Sequence, residues 1–221
     1  MILSFNNDAK IKESLIARMQ KHIEADELLQ KATGRDGKGC TVWCALNNGD
    51  IQYGYNHSAF PEVLGLPEWL AHLQDIIFEG LSVDDAKQFS SDWPKAIPVG
   101  KNLEPVKWKF CAFLMEQNIE RVLLLNISED LKKQVVAAIN GVLSLHQSAI
   151  ETGEWDESAA ESAGSAAWSA WSAAESASWS VAWSVRSAAE SAAWSVGSAA
   201  ESAESVCNSY AEKLLALLSE A

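Results

Sequence analysis

The amino-acid sequence predicts a mainly α protein: a helical N-terminal domain over residues 1–150, followed over 151–221 by a Ser/Ala/Trp-rich tail that forms one long helix or a helical hairpin. Three observations predict it. Apolar residues recur at helical spacing in the first domain, the signals between those runs are helix caps and breaks, and serine recurs in the tail with the period of an α-helix.

The first helix is expected over Asp8–Lys31, because Ile11, Leu15, Met19, Ile23 and Leu28 fall at helical spacing and Lys and Glu fill the other side. The glycines from Gly34 to Gly39 break it. Cys40–Leu46 is short and apolar, and seven residues are too few for periodicity to choose between helix and strand. Asn47–Leu66 reads as a long Gly/Asn/Tyr-rich loop, and loops of that length are more often functional than short ones. A second helix starts at Pro67 and stops at Gly80, carrying Leu70, Leu73, Ile76 and Ile77. Ser82 with Asp85 resembles a capping box and opens a short helix toward Phe89. Pro94, Pro98, Gly100 and Pro105 mark irregular chain. Trp108–Gln117 reads as helical or mixed, and Arg121–Leu125 is compatible with a strand. Ser128, Glu129 and Asp130 cap and charge the start of a helix reaching Ile150.

From Ser158 the composition changes abruptly. With Ser178 set aside, the other fifteen serines from Ser158 to Ser209 span 51 residues in 14 steps, about 3.6 residues per step, which keeps them on one stripe of a nearly straight helix. Residues following the serines form a small apolar stripe whose larger members include Val181, Val185, Val196 and Val206. Those preceding them are mostly Trp168, Trp171, Trp179, Trp183 and Trp194, alternating with glutamates. Small residues let helix axes approach closely, and bordering tryptophans add large buried areas. A lone helix with Ala as its apolar face buries too little, so the tail is expected to pair with another copy, fold on itself, or lie along the first domain. Gly164 and Gly197 are the expected breaks, and Leu214, Leu215, Leu217 and Leu218 are expected to clamp the end.

The net charge is −13, and residues 151–221 hold eleven acids against Arg186 and Lys213. Neither part clusters Lys and Arg as phosphate neutralisation requires, which argues against direct nucleic-acid binding. No run approaches the roughly 18–20 apolar residues of a membrane span, so no membrane role is expected. The four cysteines are scattered and no secretory leader opens the sequence, which reads as reduced thiols in a cytoplasm.

Three groups are candidates for chemistry. His22 and Asp26 lie one helical turn apart, and a carboxylate beside an imidazole fixes its tautomer and raises its basicity; such pairs more often serve helix stability. Cys40 and Cys44 follow a glycine break and are nucleophile or ligand candidates, although free cysteine is more often a small core residue. Asp75 and Glu79, with His72, share one side of the Pro67 helix, as metal binding or acid/base work requires and as a solvated face also looks. The sequence yields no metal site, since Cys40 and Cys44 are not a CxxC and no second pair at zinc spacing exists. It also yields no cofactor: no phosphate loop, nucleophile elbow or zinc-protease helix is present. If a ligand binds, His22, Asp26, Cys40, Cys44, Asp75 and Glu79 are expected to line its pocket, with Asn47–Leu66 as a lid.

Gly39-Cys40 with Cys44, the block from Gly65 and Pro67 through Leu70, Leu73, Asp75, Phe78, Glu79, Gly80 and Leu81, and then Trp93-Pro94 with Ala96, Ile97 and Pro98 resemble a group of uncharacterised phage- and prophage-encoded proteins, many ending in Ala/aromatic-rich repeats. The resemblance covers about residues 10–110 and the style of the tail. It carries no known activity; a histidine often stands in that group where this chain has Asn47. It implies an accessory protein that binds a host protein or small molecule in the host cytoplasm, and the tail, which cannot bury its tryptophans in a core of its own, predicts a homo-oligomer. The alternatives are a small hydrolase or ligand-modifying enzyme and a structural particle component.

Overall fold

In the computed structural model the residues described are 2–34, 36–47, 53–124, 126–159 and 196–221, the last segment with side chains from Ser205 onward. They are mainly α-helical, with isolated β-bridges that include Leu3 with Asn102 and Leu28 with Gly39. The helices are α1 (Ala9–Glu24), α2 (Thr41–Leu46), α3 (Phe60–Leu64), α4 (Glu68–Gly80), α5 (Val83–Ala96), α6 (Glu104–Leu124), α7 (Glu129–Thr152) and α8 (Val196–Ser219). They fall into two compact units, one of Met1–Lys107 with Ala200–Ala221 and one of Trp108–Ala199, so the units divide elsewhere than the change in composition near residue 151.

Local signals set the helix starts. Asp8 accepts the Lys10 N–H at 2.9 Å, Ser82 accepts the Asp85 N–H at 3.2 Å, and Ser128 accepts the Leu131 N–H at 3.3 Å, each satisfying a donor that the first turn leaves without an intrahelical partner. The end of α1 corrects the expected span. The helix stops at Glu24, Asp26 turns left-handed at φ 53°, and Leu28 enters the core from a bridge with Gly39. Leu28 is buried as its spacing suggests, yet its backbone belongs to a pairing that helical periodicity cannot register. The short segment after Gly39 is a helix, α2, and all six of its residues are buried. The expected loop up to Leu66 contains a 3₁₀ turn at His57–Ala59 followed by α3. Pro94 does not end α5 but sits in its last turns, and the stretch up to Leu124 that was compatible with a strand belongs to α6.

In the first unit α1 packs on α2 and α5, and α4 packs on α2 and α5. Trp43, Phe60, Phe78 and Trp93 fill the centre. α8 joins this unit through one stripe. Gly80 ends α4 where a Cβ would collide with the Cys207 thiol, and Ala211, Leu214 and Leu218 continue the stripe at helical spacing, both leucines fully buried. Each of those leucines contributes roughly 2 kcal/mol by apolar burial. Gly197, an expected break, lies inside α8. Trp168, Trp171, Trp179, Trp183, Trp194, Val181 and Val185, expected to mediate assembly, lie outside the described residues, and Val196 is the first residue of α8.

In the second unit, α7 closes on Gly153, which takes the left-handed conformation usual after a helix C-terminus, and His146 meets Trp155 with ring centroids 5.1 Å apart. No described helix is long and apolar enough to cross a membrane.

Candidate functional site

The segment after α1 positions Cys40. Glu27 C=O accepts the Gly39 N–H at 2.9 Å, Leu29 N–H donates to Gly39 C=O at 2.8 Å, and Cys40 N–H donates to Ala32 C=O at 3.0 Å. The same segment is tied to the end of α4, where the Gln30 amide donates to the carbonyls of Phe78 and Leu81 at 2.7 and 2.8 Å and Lys31 N–H donates to Glu79 Oε2 at 2.7 Å. On the other side, Thr41 Oγ1 donates to the buried Gln74 Oε1 at 2.9 Å, pinning the start of α2 to α4. These bonds set Cys40 against the two carboxylates one turn apart on α4: Cys40 Sγ and one oxygen each of Asp75 and Glu79 lie within 4.8 Å of one another.

Two further side chains reach Asp75 from the segment before α3. The Tyr55 hydroxyl donates to Asp75 Oδ2 at 2.7 Å, and His57 Nε2 lies 3.2 Å from the same oxygen. His57 stacks on His72 with centroids 4.0 Å apart, and Tyr55 meets His57 edge-on at 4.7 Å. Asp75 is only 6% exposed, and its other oxygen, Oδ1, is buried without a hydrogen-bond partner. A buried acceptor left unpaired is costly, so such an atom calls for an explanation.

Burial and then the neighbouring Asp75 push the Cys40 thiol up to about 12. Partial burial, the hydrogen bond to Asp75 and the charge on that carboxylate raise Tyr55 well above the ordinary phenol value. Burial, with the Asp75 charge adding to it, also raises Glu79, against the lowering effect of the Lys31 N–H. Every one of these shifts disfavours negative charge, with burial as the largest cause and the Asp75 carboxylate adding to it.

The six residues predicted to line a pocket separate into groups. Cys40, Asp75 and Glu79 converge. Cys44 is fully buried and its thiol donates to Gly39 C=O at 3.6 Å; burial first, then Cys40 and Glu27, raise it far above an ordinary thiol. His22 is not paired with Asp26. Its Nδ1 lies 2.6 Å from Glu27 Oε2 and its Nε2 2.9 Å from the Asn47 carbonyl, so both ring nitrogens are engaged in holding α1 against the end of α2. Because α1 ends early, Asp26 turns to the surface, 76% exposed, and pairs with Lys87 at 2.8 Å. Asn47 is itself a buried hub: its amide donates to the Trp43 and Gly54 carbonyls and accepts from the Tyr53 and Gly54 N–H groups.

Sequence reasoning does not nominate Tyr55 or His57. Both lie in non-periodic chain, and the one available signal was an aromatic and a histidine two residues apart in a long loop. A recess of about 90 Å³ lined by Leu28, Phe78, Val83 and Ala86 is mainly apolar and carries none of these polar groups. A mainly α fold carrying a Cys/Asp/Glu centre flanked by Tyr and His is therefore the class of protein that the described residues define. No protein-family model, curated protein or solved structure matches the chain.

Proposed function

We propose that this chain is a phage- or prophage-type accessory protein that binds a small host-made molecule at the Asp75 centre of its first unit, in the host cytoplasm, and assembles through its Ser/Ala/Trp segment. The observation that carries the binding role is the convergence of Cys40, Tyr55, His57 and Glu79 on a buried carboxylate that keeps one oxygen unpaired. An acceptor left unpaired among polar groups gathered from separate segments is what a ligand with its own donors completes. The phage association rests on the sequence resemblance, and the assembly role on the serine period and the bordering tryptophans.

Native mass spectrometry of the full chain purified from a bacterial cytoplasm tests this. A bound organic mass is expected on the wild type and absent from Asp75→Asn; a bare chain in both sinks the binding role. Light scattering of the same material is expected to give at least twice the 24.0 kDa chain mass, and a monomer at micromolar concentration removes the assembly role.

A second reading, a small hydrolase, is favoured by one specific observation: an imidazole held against a carboxylate beside a thiol, His57–Asp75 with Cys40. General-base catalysis uses such a pair. Hydrolysis of an activated ester that disappears in His57→Ala, with the fold intact, would make this reading the better one.

A further inference from the structure

We infer that Cys40, Asp75 and Glu79 form the protein half of a divalent-cation site of zinc type, with His57 beside it to supply a nitrogen or to orient Asp75. This deepens the binding reading above, which it takes as its starting point, by naming what the centre holds. Three ligand residues meet here, a thiol and two carboxylates. Their donor atoms lie within 4.8 Å of one another, whereas donors around one tetrahedral zinc sit roughly 3.3–3.6 Å apart given bonds of about 2.0–2.3 Å. Side-chain rotation closing about 1 Å therefore completes the first three positions.

The independent mark of a missing partner is Asp75 Oδ1. Asp75 is 6% exposed, its Oδ2 is turned to Tyr55 and His57, and Oδ1 has no hydrogen-bond donor. A carboxylate buried in that way is satisfied by a cation coordinating the free oxygen. Glu79 and Cys40 add two more potential anions, and Glu79 receives a backbone N–H from Lys31 while no lysine or arginine is paired to either carboxylate among the described residues. The donor set selects the ion. A thiolate with two carboxylates and an imidazole suits zinc or another borderline transition metal, whereas magnesium takes oxygen ligands and several waters. A cation bound there ligates the thiolate form of Cys40, and the thiol proton goes to solvent. With Cys40, Asp75 and Glu79 as the three protein ligands, one tetrahedral position is left, for His57, a water or a ligand atom.

The test is titration of the full chain, stripped with EDTA and with no organic ligand present, first with Co²⁺ as a spectroscopic stand-in and then with Zn²⁺ in competition. The expected result is one Co²⁺ per chain with a thiolate-to-cobalt charge-transfer band, displaced by Zn²⁺ and not by Mg²⁺, and proton release on binding. Cys40→Ser should abolish the band, while the double variant Cys111→Ser/Cys207→Ser retains it. Asp75→Asn and Glu79→Gln should each weaken Zn²⁺ by at least ~10-fold, which keeps the test intact if the cysteine variant fails to fold. Absence of the band on the wild type, its persistence in Cys40→Ser, or unchanged affinity in both acid variants overturns the site. Because no organic molecule enters this titration, its failure leaves the mass-spectrometric test of the binding role untouched, and a bound metal with no organic mass overturns only that role.

Discussion

Replacing His22 with Ala lowers the stability of the first unit by about 3 kcal/mol, roughly a hundredfold in the folding equilibrium, and does so with or without metal. The imidazole is 2% exposed, packs edge-on to Trp43 at 5.7 Å, and bonds both Glu27 and the Asn47 carbonyl. Its removal leaves a cavity beside Trp43 and an unpaired buried carbonyl at the end of α2. Urea unfolding followed by circular dichroism measures this. The contrast is His57→Ala, which removes one of two contacts to Asp75 at the edge of the core and should cost less than about 1 kcal/mol while disturbing the site. Native-like stability in His22→Ala would show that the histidine is kept for chemistry and not for the fold.

Cys40 and Cys44 in the EDTA-treated native protein react with iodoacetamide at least ~10³-fold more slowly than an unhindered thiol at pH 8. Only the thiolate attacks, and a thiol near 12 holds roughly 10⁻⁴ of it at that pH, against about a quarter for an ordinary cysteine. Cys44 is raised further and is fully enclosed. The sign is fixed by the direction of the shift: with both values above the working range, labelling rises tenfold per pH unit between about 7 and 9 and shows no plateau there. Peptide mapping after timed alkylation, with urea-unfolded protein as the reference, reads both sites. Rapid labelling of Cys40 at neutral pH would mean a stabilised thiolate, and with it a nucleophile in place of a protonated ligand.

What could be read in the sequence was what short-range chemistry determines. Ser82 and Ser128 cap because their hydroxyls face N–H groups three residues on, and Pro67 to Gly80 frames α4 by the same local logic. The early end of α1 was hidden because Leu28 keeps the apolar rhythm while its neighbours' backbone bonds go to Gly39, across the glycine-rich turn. α3 has five residues, fewer than two turns, so no period exists to find. The site was legible as residue types and not as an arrangement. Asp75 and Glu79 stand one turn apart by number alone, but Cys40 joins them through Gln30, Lys31 and Gln74, whose roles exist only after the chain has folded. His22 illustrates the opposite error. A carboxylate four residues along a helix is the natural partner to expect, and the helix ended before it could be used; Glu27 took its place.

The first unit is built from two stretches of chain, Met1–Lys107 and Ala200–Ala221, with the Trp108–Ala199 stretch inserted between them. On the ribosome the covering of Gly80 by Cys207 therefore waits for α8: at ~5–20 residues per second the intervening chain takes roughly 5–20 s to make. The insertion has the converse freedom. Replication slippage that adds or deletes Ser/Ala/Trp units before Ala200 leaves the sequence of both stretches of the first unit unchanged. A frameshift within the repeat, by contrast, deletes the two buried leucines together, and selection then acts on reading frame far more sharply than on repeat number.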